Sequence, residues 1–255
     1  MYDRYVAIGD SSTEGLDDPD GSGGWRGWAD RLAEHVSATS PGLRYANLAV
    51  RGRVVRQVRD EQLPRALELR PDLATVFAGV NDLLRPGFDA AAVAADVEEL
   101  LGALTGAGAT VLTITVPDPS RAMPLARPLR GRMADFNERV RRAAQRTGAR
   151  VADVAAHPVG ADPRLWSLDR LHANALGHER IAGALAEALG LPGADHRWAD
   201  PLPPAARRRG HEVLRAEGAW LRTHFGPWVV RRATGRSSGD DVQPKRPELA
   251  PVPRT

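Results

Sequence analysis

The sequence predicts an α/β protein with three layers, in which a parallel sheet of five strands lies between helices. Three observations support this prediction. Short apolar runs recur along the chain, segments with helical spacing separate them, and turn-forming residues follow the runs. The chain has 255 residues, of which 42% are hydrophobic, so it can bury an ordinary core. We expect this architecture over residues 1–195, followed by a C-terminal extension.

The predicted strands are five apolar runs. They span residues 5–8, 45–50, 73–78, 111–116 and 151–154. Each is short and bounded by polar or glycine residues, as buried strands of parallel sheets are. Because helical segments separate the runs, crossover connections are expected between them, and a parallel sheet results.

The segments between the runs have apolar residues three or four positions apart. The first places Trp25, Trp28, Leu32 and Val36 on one face, and similar faces follow within residues 55–67 and 93–104. Longer helices are predicted over residues 129–146 and 174–189. We expect these helices to cover both faces of the sheet.

The chain beyond residue 195 is predicted to form two parts. Residues 196–234 are interpreted as a helical appendage, with a helix over residues 205–225. Residues 235–255, rich in Gly, Ser, Pro and charge, are predicted to be a disordered tail, whose removal should change neither stability nor activity.

The appendage has an apolar stripe interleaved with arginines. Its apolar residues are Val213, Leu214, Trp220, Leu221, Phe225, Trp228 and Val229, and its arginines are Arg215, Arg222, Arg231 and Arg232. Two interpretations stay open. The stripe could pack on the first domain, or the segment could lie on an anionic membrane surface. We favour the first, because Pro227 interrupts the helix and so short a stripe needs a partner surface.

The composition excludes several kinds of chemistry. The chain has no cysteine, which excludes disulfides, thiolate metal sites and a cysteine nucleophile. Its histidines show no recognised metal-ligand spacing, and no phosphate-binding glycine loop occurs, so no metal and no cofactor is expected. The net charge of +3 gives no reason to expect nucleic-acid binding. With no membrane-spanning stretch and no export signal at its N-terminus, the protein is expected to be cytoplasmic.

Four polar motifs fall where the predicted sheet would bind a ligand. Ser11 ends the first strand, Gly52 follows the second, and Asn81 follows the third. Asp169 stands three residues before His172, ahead of the last helix. Each residue alone is explained as a cap, a turn former or a solvated charge. Together, at one edge of a parallel sheet, they would supply a nucleophile, oxyanion donors and a base with a carboxylate partner.

These motifs resemble those of the SGNH hydrolases, also called GDSL-type esterases and lipases. The signature blocks appear in the family's order: Gly9-Asp10-Ser11, Gly52 after Asn47, Gly79-x-Asn81-Asp82, and Asp169-x-x-His172. Ser12 departs from the leucine that commonly follows the serine. The resemblance extends over about residues 5–190 and implies the flavodoxin-like fold of that family.

The resemblance also implies a role for each motif residue. Ser11 is implied to be the nucleophile, His172 the general base and acid, and Asp169 the partner of His172. The oxyanion hole is implied to consist of the Ser11 N–H, the Gly52 N–H and the Asn81 side chain. No cofactor belongs to this mechanism.

The predicted function is hydrolysis of small-molecule carboxylic esters through an acyl-serine intermediate. An acyltransferase, a carbohydrate O-deacetylase and a lysophospholipase at a membrane surface remain alternatives on the same site, and a non-catalytic binding module is favoured least. Loops 16–24, 83–88 and 117–128 are expected to line the pockets, but their mixed composition selects no acyl or alcohol group. The sequence does not predict an oligomeric state.

Overall fold

Six strands form one sheet. They are β1 (Arg4–Gly9), β2 (Arg44–Asn47), β3 (Leu73–Phe77), β4 (Thr110–Ile114), β5 (Arg150–Ala152) and β6 (Arg246–Pro251). Their order across the sheet is β5-β4-β3-β1-β2-β6. The first five pair in parallel, and β6 pairs antiparallel to β2. This computed structural model describes residues 1–204, 210–227, 230 and 237–252, and only the backbone of residues 210–214.

Helices connect the strands. They are α1 (Ser11–Glu14), α2 (Gly27–Thr39), α3 (Val55–Gln57), α4 (Leu63–Glu68), α5 (Val80–Leu83), α6 (Ala90–Gly106), α7 (Arg130–Thr147), α8 (Ala175–Leu189) and α9 (Gly210–Trp220). π-Helical turns occur at Val58–Gln62 and Leu221–Phe225. Short 3₁₀ helices occur at Pro119–Arg121, Pro124–Leu129, Val154–Ala156, Pro158–Ala161, Pro163–Leu165 and His196–Ala199.

The helices form a layer on each face of the sheet. The chain moves from β1 to β2 in one direction and then from β2 through β3 and β4 to β5 in the other. Because parallel crossovers are right-handed, this reversal places α2 on one face and α6 and α7 on the opposite face. Accordingly α6 packs against α7, and α2 packs against α8. The reversal also leaves a crevice at the carboxyl ends of β1 and β3, where open sheets bind ligands.

The core explains why the central strands are apolar throughout. All five residues of β3 are buried, as are five of the six residues of β1, because helices cover both faces. Tyr5 and Tyr45 face each other across β1 and β2, with ring centroids 4.9 Å apart. The Tyr5 hydroxyl forms a 2.9 Å hydrogen bond with Thr75 Oγ1, so this buried polar group has a partner.

The predicted α/β/α architecture and its five parallel strands are confirmed. The predicted long helices correspond to α7 and α8. The predicted sheet of five strands is wrong in one respect, because β6 adds a sixth strand at the edge beside β2. The expectation of a disordered tail over residues 235–255 is wrong for residues 237–252, which form the turn at 237–241 and β6, while the other residues of that range lie outside the described ones.

Contacts with the rest of the chain hold this segment in place. Lys245 Nζ donates hydrogen bonds to the backbone oxygens of Trp25 and Arg26, at 2.9 and 2.7 Å, and to Asp30 Oδ2 at 2.9 Å. The Arg246 guanidinium lies 5.3 Å from the centroid of the Tyr45 ring. Backbone pairing and a partly buried ion pair stabilise this edge strand in ways that a hydrophobicity pattern does not reveal.

The C-terminal appendage is helical over residues 196–199 and 210–227, and its residues 200–204 are irregular. Trp220 at the end of α9 is buried and stacks on Phe225, with ring centroids 5.5 Å apart. Leu221, another residue of the predicted apolar stripe, is exposed. The rest of that stripe (the side chains of Val213 and Leu214, and Trp228 and Val229) and Arg231 and Arg232 lie outside the described residues. Within the described part of the chain, no helix combines the length and apolar character needed to cross a bilayer.

Candidate active site

Ser11 lies where β1 ends and α1 begins. The Asp10 side chain caps this helix, because its Oδ1 accepts a hydrogen bond from the Ser12 N–H at 3.1 Å. Gly9 has φ +154°, and a Cβ there would lie 2.3 Å from the Phe77 carbonyl oxygen. Only glycine therefore permits this close approach of β1 to β3. The turn directs the chain into α1 with Ser11 at the carboxyl edge of the sheet.

The Gln62 side chain also holds the end of β1, through hydrogen bonds with the backbone of Gly9. Its Oε1 accepts a hydrogen bond from the Gly9 N–H at 2.9 Å, and its Nε2 donates to the Gly9 carbonyl oxygen at 2.8 Å. Gln62 is buried and ends the π-helical turn between α3 and α4. Inserted residues of this kind are frequent at functional sites. The sequence analysis missed Gln62, although a glutamine within an apolar helical pattern was a signal.

The structure brings Ser11, His172 and Asp169 into one chain of hydrogen bonds. Ser11 Oγ lies 2.7 Å from His172 Nε2, and His172 Nδ1 lies 2.6 Å from Asp169 Oδ2. With Asp169 ionised, Nδ1 carries the proton and Nε2 accepts from the serine hydroxyl. The three side chains thus have the geometry of a nucleophile, a base and an orienting carboxylate.

A tight loop over residues 167–172, here named the acid–base loop, holds the aspartate and the histidine. Asp169 Oδ1 accepts hydrogen bonds from the Leu171 and His172 N–H groups, at 2.9 and 3.0 Å, and from Ser167 Oγ at 2.6 Å. The Ser167 N–H donates to the His172 carbonyl oxygen at 2.8 Å. The three-residue spacing of the sequence motif therefore corresponds to a turn that the aspartate side chain itself closes.

The charges around the loop favour a protonated histidine. Burial alone would lower the pKa of His172, but the hydrogen bond and charge of Asp169 raise it above its ordinary value, with Asp17 and Asp10 adding to the rise. Burial opposes ionisation of Asp169, yet its hydrogen bonds with His172 hold its pKa well below the usual range. The Asp17 side chain lies 3.9 Å from His172 Nδ1. Sequence reasoning did not single out Asp17.

The predicted oxyanion donors lie at the same edge of the sheet. Gly52 occupies the turn after β2 with φ +77°, and Asn81 is on α5 directly after β3. Among the described residues, neither the Ser11 N–H nor the Gly52 N–H has a hydrogen-bond partner. Asn81 Nδ2 donates to Asp10 Oδ2 at 3.1 Å and to the Arg53 carbonyl oxygen at 3.0 Å. These contacts hold the amide at the edge of the cavity that Ser11 also lines.

Two further carboxyl groups lie beside Asn81, that of Asp10 buried and that of Asp82 partly buried. Burial raises the pKa of Asp10 to about 7, although hydrogen bonds from Ser12 and Asn81 oppose the rise. Burial likewise raises the pKa of Asp82 to about 6, and Asp82 Oδ2 accepts a 3.0 Å hydrogen bond from the Val55 N–H. Like charges so close together disfavour full ionisation of both groups.

An apolar cavity opens beside Ser11, Asn81 and His172. Its apolar lining comprises Phe77, Val80, Leu83, Leu84, Val116, Pro117, Pro119, Met123, Ala126, Leu129, Met133, Val154, Val159, Leu165, Trp166, Leu171, Ala173, Ile181 and Trp198. The expected loops 83–88 and 117–128 contribute, as predicted. Loop 16–24 does not, and it contributes Asp17 beside His172 instead. The share of the cavity wall from residues 154–166 and from α8 was not predicted.

One group of residues in the described chain could offer ligand atoms to a cation. Atoms of Asp17, Asp169 and His172 lie within 4.8 Å of one another. A cation bound to all three through Nδ1 would replace the proton shared by His172 and Asp169. The short hydrogen bond between these two side chains fits the proton-bearing arrangement better than a metal site.

The sequence matches the GDSL-like Lipase/Acylhydrolase family over residues 7–180. The chain belongs to this family. Membership supports a hydrolase that acts on esters, and the matched range ends within α8, before the appendage and β6. A comparison with curated proteins gave no match.

Solved structures share the fold of this GDSL-like protein. An α/β hydrolase enzyme from the metagenome of Lake Arreo, Spain, is 24% identical and has a TM-score of 0.63, with 74% of this chain and 95% of that chain covered. An acetylxylan esterase from Geobacillus stearothermophilus is 18% identical, with a TM-score of 0.63 and coverage of 76% and 97%. The psychrotrophic esterase EstA from Pseudoalteromonas sp. is 15% identical, with a TM-score of 0.59 and coverage of 74% and 97%.

Proposed function

We propose that this protein hydrolyses carboxylic esters through an acyl-serine intermediate on Ser11. The observation that carries the proposal is the hydrogen-bonded chain from Ser11 Oγ to His172 Nε2 and from His172 Nδ1 to Asp169 Oδ2, at 2.7 and 2.6 Å. A serine hydroxyl is a weak nucleophile unless a base removes its proton during attack. His172 is placed to act as that base.

The first half of the reaction forms the acyl-enzyme. Ser11 Oγ attacks the ester carbonyl carbon while its proton moves to His172 Nε2. The resulting imidazolium is stabilised by Asp169, and the oxyanion by the N–H groups of Ser11 and Gly52, which have no hydrogen-bond partner among the described residues, together with the Asn81 amide. The tetrahedral intermediate then collapses, and His172 returns the proton to the departing alcohol.

The second half releases the acid. Water attacks the acyl carbonyl carbon and gives its proton to His172 Nε2, and collapse of the second tetrahedral intermediate returns that proton to Ser11 Oγ. Asn81 has to share its amide hydrogens between the oxyanion and its present acceptors, Asp10 and Arg53. Electrostatic stabilisation of the oxyanion is the largest contribution expected from the protein.

The apolar lining of the cavity favours a substrate that buries a hydrocarbon acyl group there. Most of the cavity's lining residues have aliphatic, aromatic, methionine or proline side chains, and the polar side chains beyond the catalytic ones are Asp10, Ser12 and Arg180. Each buried methylene group gains about 0.8 kcal/mol. A site for a carbohydrate ester would be expected to present hydrogen-bonding groups to the sugar. We therefore favour esters of aliphatic acids over acetylated sugars.

A series of p-nitrophenyl esters from acetate to palmitate tests the proposal. We expect turnover that increases beyond the acetate, and its loss by a factor of roughly 10⁴ or more in Ser11→Ala and in His172→Ala. Both variants should keep the wild-type circular dichroism, since neither side chain belongs to the core. Near wild-type turnover in a folded Ser11→Ala protein would contradict the mechanism.

Two further measurements separate the alternatives. Mass spectrometry of the quenched reaction should show the mass of the acyl group, less one hydrogen, added at Ser11. Added alcohols that capture the acyl group faster than water would identify an acyltransferase instead. Binding of esters without any turnover would favour a non-catalytic module.

A further inference from the structure

Helix α9 contacts the acid–base loop from outside the family-matched residues. Trp220 Nε1 donates a hydrogen bond to the Asp169 carbonyl oxygen at 3.0 Å. The Arg170 guanidinium lies 4.7 Å from the Trp220 ring centroid and pairs with Glu217 at 2.7 Å. Two residues of α9 thus contact the two loop residues that stand directly before Leu171 and His172.

The loop conformation explains why such contacts matter. Arg170 has φ +62°, in the left-handed region that a side chain with a Cβ rarely adopts. Strained residues of this kind persist only where their surroundings determine the conformation. Two sets of contacts determine it here: the hydrogen bonds that Asp169 Oδ1 accepts within the loop, and the contacts of Arg170 with Trp220 and Glu217.

We infer that Trp220 is a positioning residue for the Asp169–His172 pair, so that the appendage completes the acid–base machinery of the domain. The inference rests on the proposed ester hydrolysis for its kinetic consequences but not for its structural ones. Trp220 touches no reacting atom and acts through the backbone of Asp169. Its N–H group, rather than the bulk of its ring, makes the contact that fixes this backbone.

The decisive variant is Trp220→Phe. Phenylalanine keeps an aromatic ring for Phe225 and Arg170 but lacks the N–H donor. Thr223→Val is a matched control, because Thr223 Oγ1 donates its 2.8 Å hydrogen bond to the Ala219 carbonyl oxygen, one turn back in the same helical segment. Glu217→Gln weakens the hold on Arg170 without altering the hydrophobic contacts of α9.

We expect Trp220→Phe to lower kcat about fivefold with KM changed less than twofold, as loss of one positioning hydrogen bond would. Glu217→Gln should give a smaller fall in kcat, and Thr223→Val none. The His172 imidazole, followed by NMR titration, should ionise at lower pH in Trp220→Phe than in the wild-type protein, because its partner carboxylate is less firmly placed.

The titration needs no turnover, so it separates this inference from the proposed function. Suppose that the protein shows no esterase activity but the His172 titration still shifts in Trp220→Phe. This outcome would support the positioning role of Trp220 and contradict the proposed ester hydrolysis. If kcat and the His172 titration both stay at wild-type values in Trp220→Phe, the inference is wrong. Equal losses in Trp220→Phe and Thr223→Val would mean that α9 merely stabilises the fold.

Discussion

Asp17 Oδ2 lies 3.9 Å from Nδ1 of His172, so the imidazole ring faces a second carboxylate besides Asp169. The charge of Asp17 favours the protonated histidine and contributes to its raised pKa. His172 has to be neutral to accept the proton of Ser11, so activity is lost as pH falls through this pKa.

Asp17→Asn should therefore move the acid limb of the pH profile of kcat/KM to lower pH. The measurement is kcat/KM for one p-nitrophenyl ester between pH 4 and 9. Asp20→Asn in the same loop is the control, because the Asp20 carboxylate accepts hydrogen bonds from Ser22 and Gly24 of its own turn. An unchanged limb in Asp17→Asn would show that Asp17 does not act on the base.

Asn81→Ala should lower kcat far more than it raises KM. The amide would meet the oxyanion only in the transition state, and removal of one such donor costs about 10²- to 10³-fold in kcat. Steady-state kinetics with the best ester of the series measure both parameters. An effect confined to KM would assign Asn81 to substrate binding rather than to the oxyanion.

Ala126→Phe should shift the preferred ester toward shorter acyl chains. Ala126 is only 2% exposed and lines the apolar cavity, so a phenyl group there would occupy space offered to the chain. The comparison is the ratio of kcat/KM for octanoate and butyrate esters. Ala175→Phe, an exposed substitution at the first residue of α8, should leave the ratio unchanged. If Ala126→Phe keeps the wild-type ratio of kcat/KM for the octanoate and butyrate esters, the acyl group binds elsewhere.

The free energy of unfolding should decrease as pH rises, because the folded protein favours the protonated form of Asp10. Burial raises its folded-state pKa to about 7, so the folded chain holds a proton that the unfolded chain has released above pH 4. Stability from this group is present at acid pH and is lost between about pH 4 and 7, to a total of roughly 4 kcal/mol. Asp82 acts in the same direction.

Urea unfolding of Asp10→Asn at pH 5 and pH 8 checks this dependence. The decrease in unfolding free energy between the two pH values should be smaller than in the wild-type protein. Asp135→Asn, at an exposed position on α7, should show the wild-type decrease. If the unfolding free energy of Asp10→Asn falls between pH 5 and pH 8 by as much as that of the wild-type protein, the titrating group is not Asp10.

The turn at residues 237–241 should support the loop that carries Gly52. A Cβ at Gly239 would lie 1.9 Å from the Arg51 carbonyl oxygen, and one at Gly52 would lie 2.3 Å from Ser237 Oγ. Gly239→Val should therefore lower both the melting temperature and kcat, whereas Gly42→Val, in open space, should change neither. Truncation after residue 236 should have the larger effect, contrary to what the composition of the tail suggests. Full activity of a folded truncated chain would contradict this prediction.

The fold and the motif residues could be predicted from the sequence because they depend on local patterns that recur along the chain. Strands buried on both faces are apolar throughout, and Ser11, Gly52 and Asn81 follow strand ends because parallel strands bring their carboxyl ends to one edge. The Asp169 turn could be predicted from its spacing, since the carboxylate closes the turn itself.

The features that sequence reasoning missed depend on distant contacts. Gln62 reaches Gly9 because a π-helical turn shifts its helix face, which regular helical spacing does not anticipate. The role inferred for Trp220 depends on its hydrogen bond to the Asp169 carbonyl oxygen, a contact between residues distant in sequence. β6 has no apolar run of the kind that marks a buried strand, and as an edge strand it takes its stability from backbone pairing with β2.

The position of β6 also affects how the chain folds during synthesis. β2 ends at Asn47, and within the described residues its outer edge pairs with residues 246–251, so residues up to 251 have to leave the ribosome before this sheet is complete. Lys245 likewise reaches Asp30 only at that stage. Contacts so distant in sequence form slowly, and until then β2 presents an open edge to other nascent chains. The fastest route to aggregates during expression should therefore be through this edge.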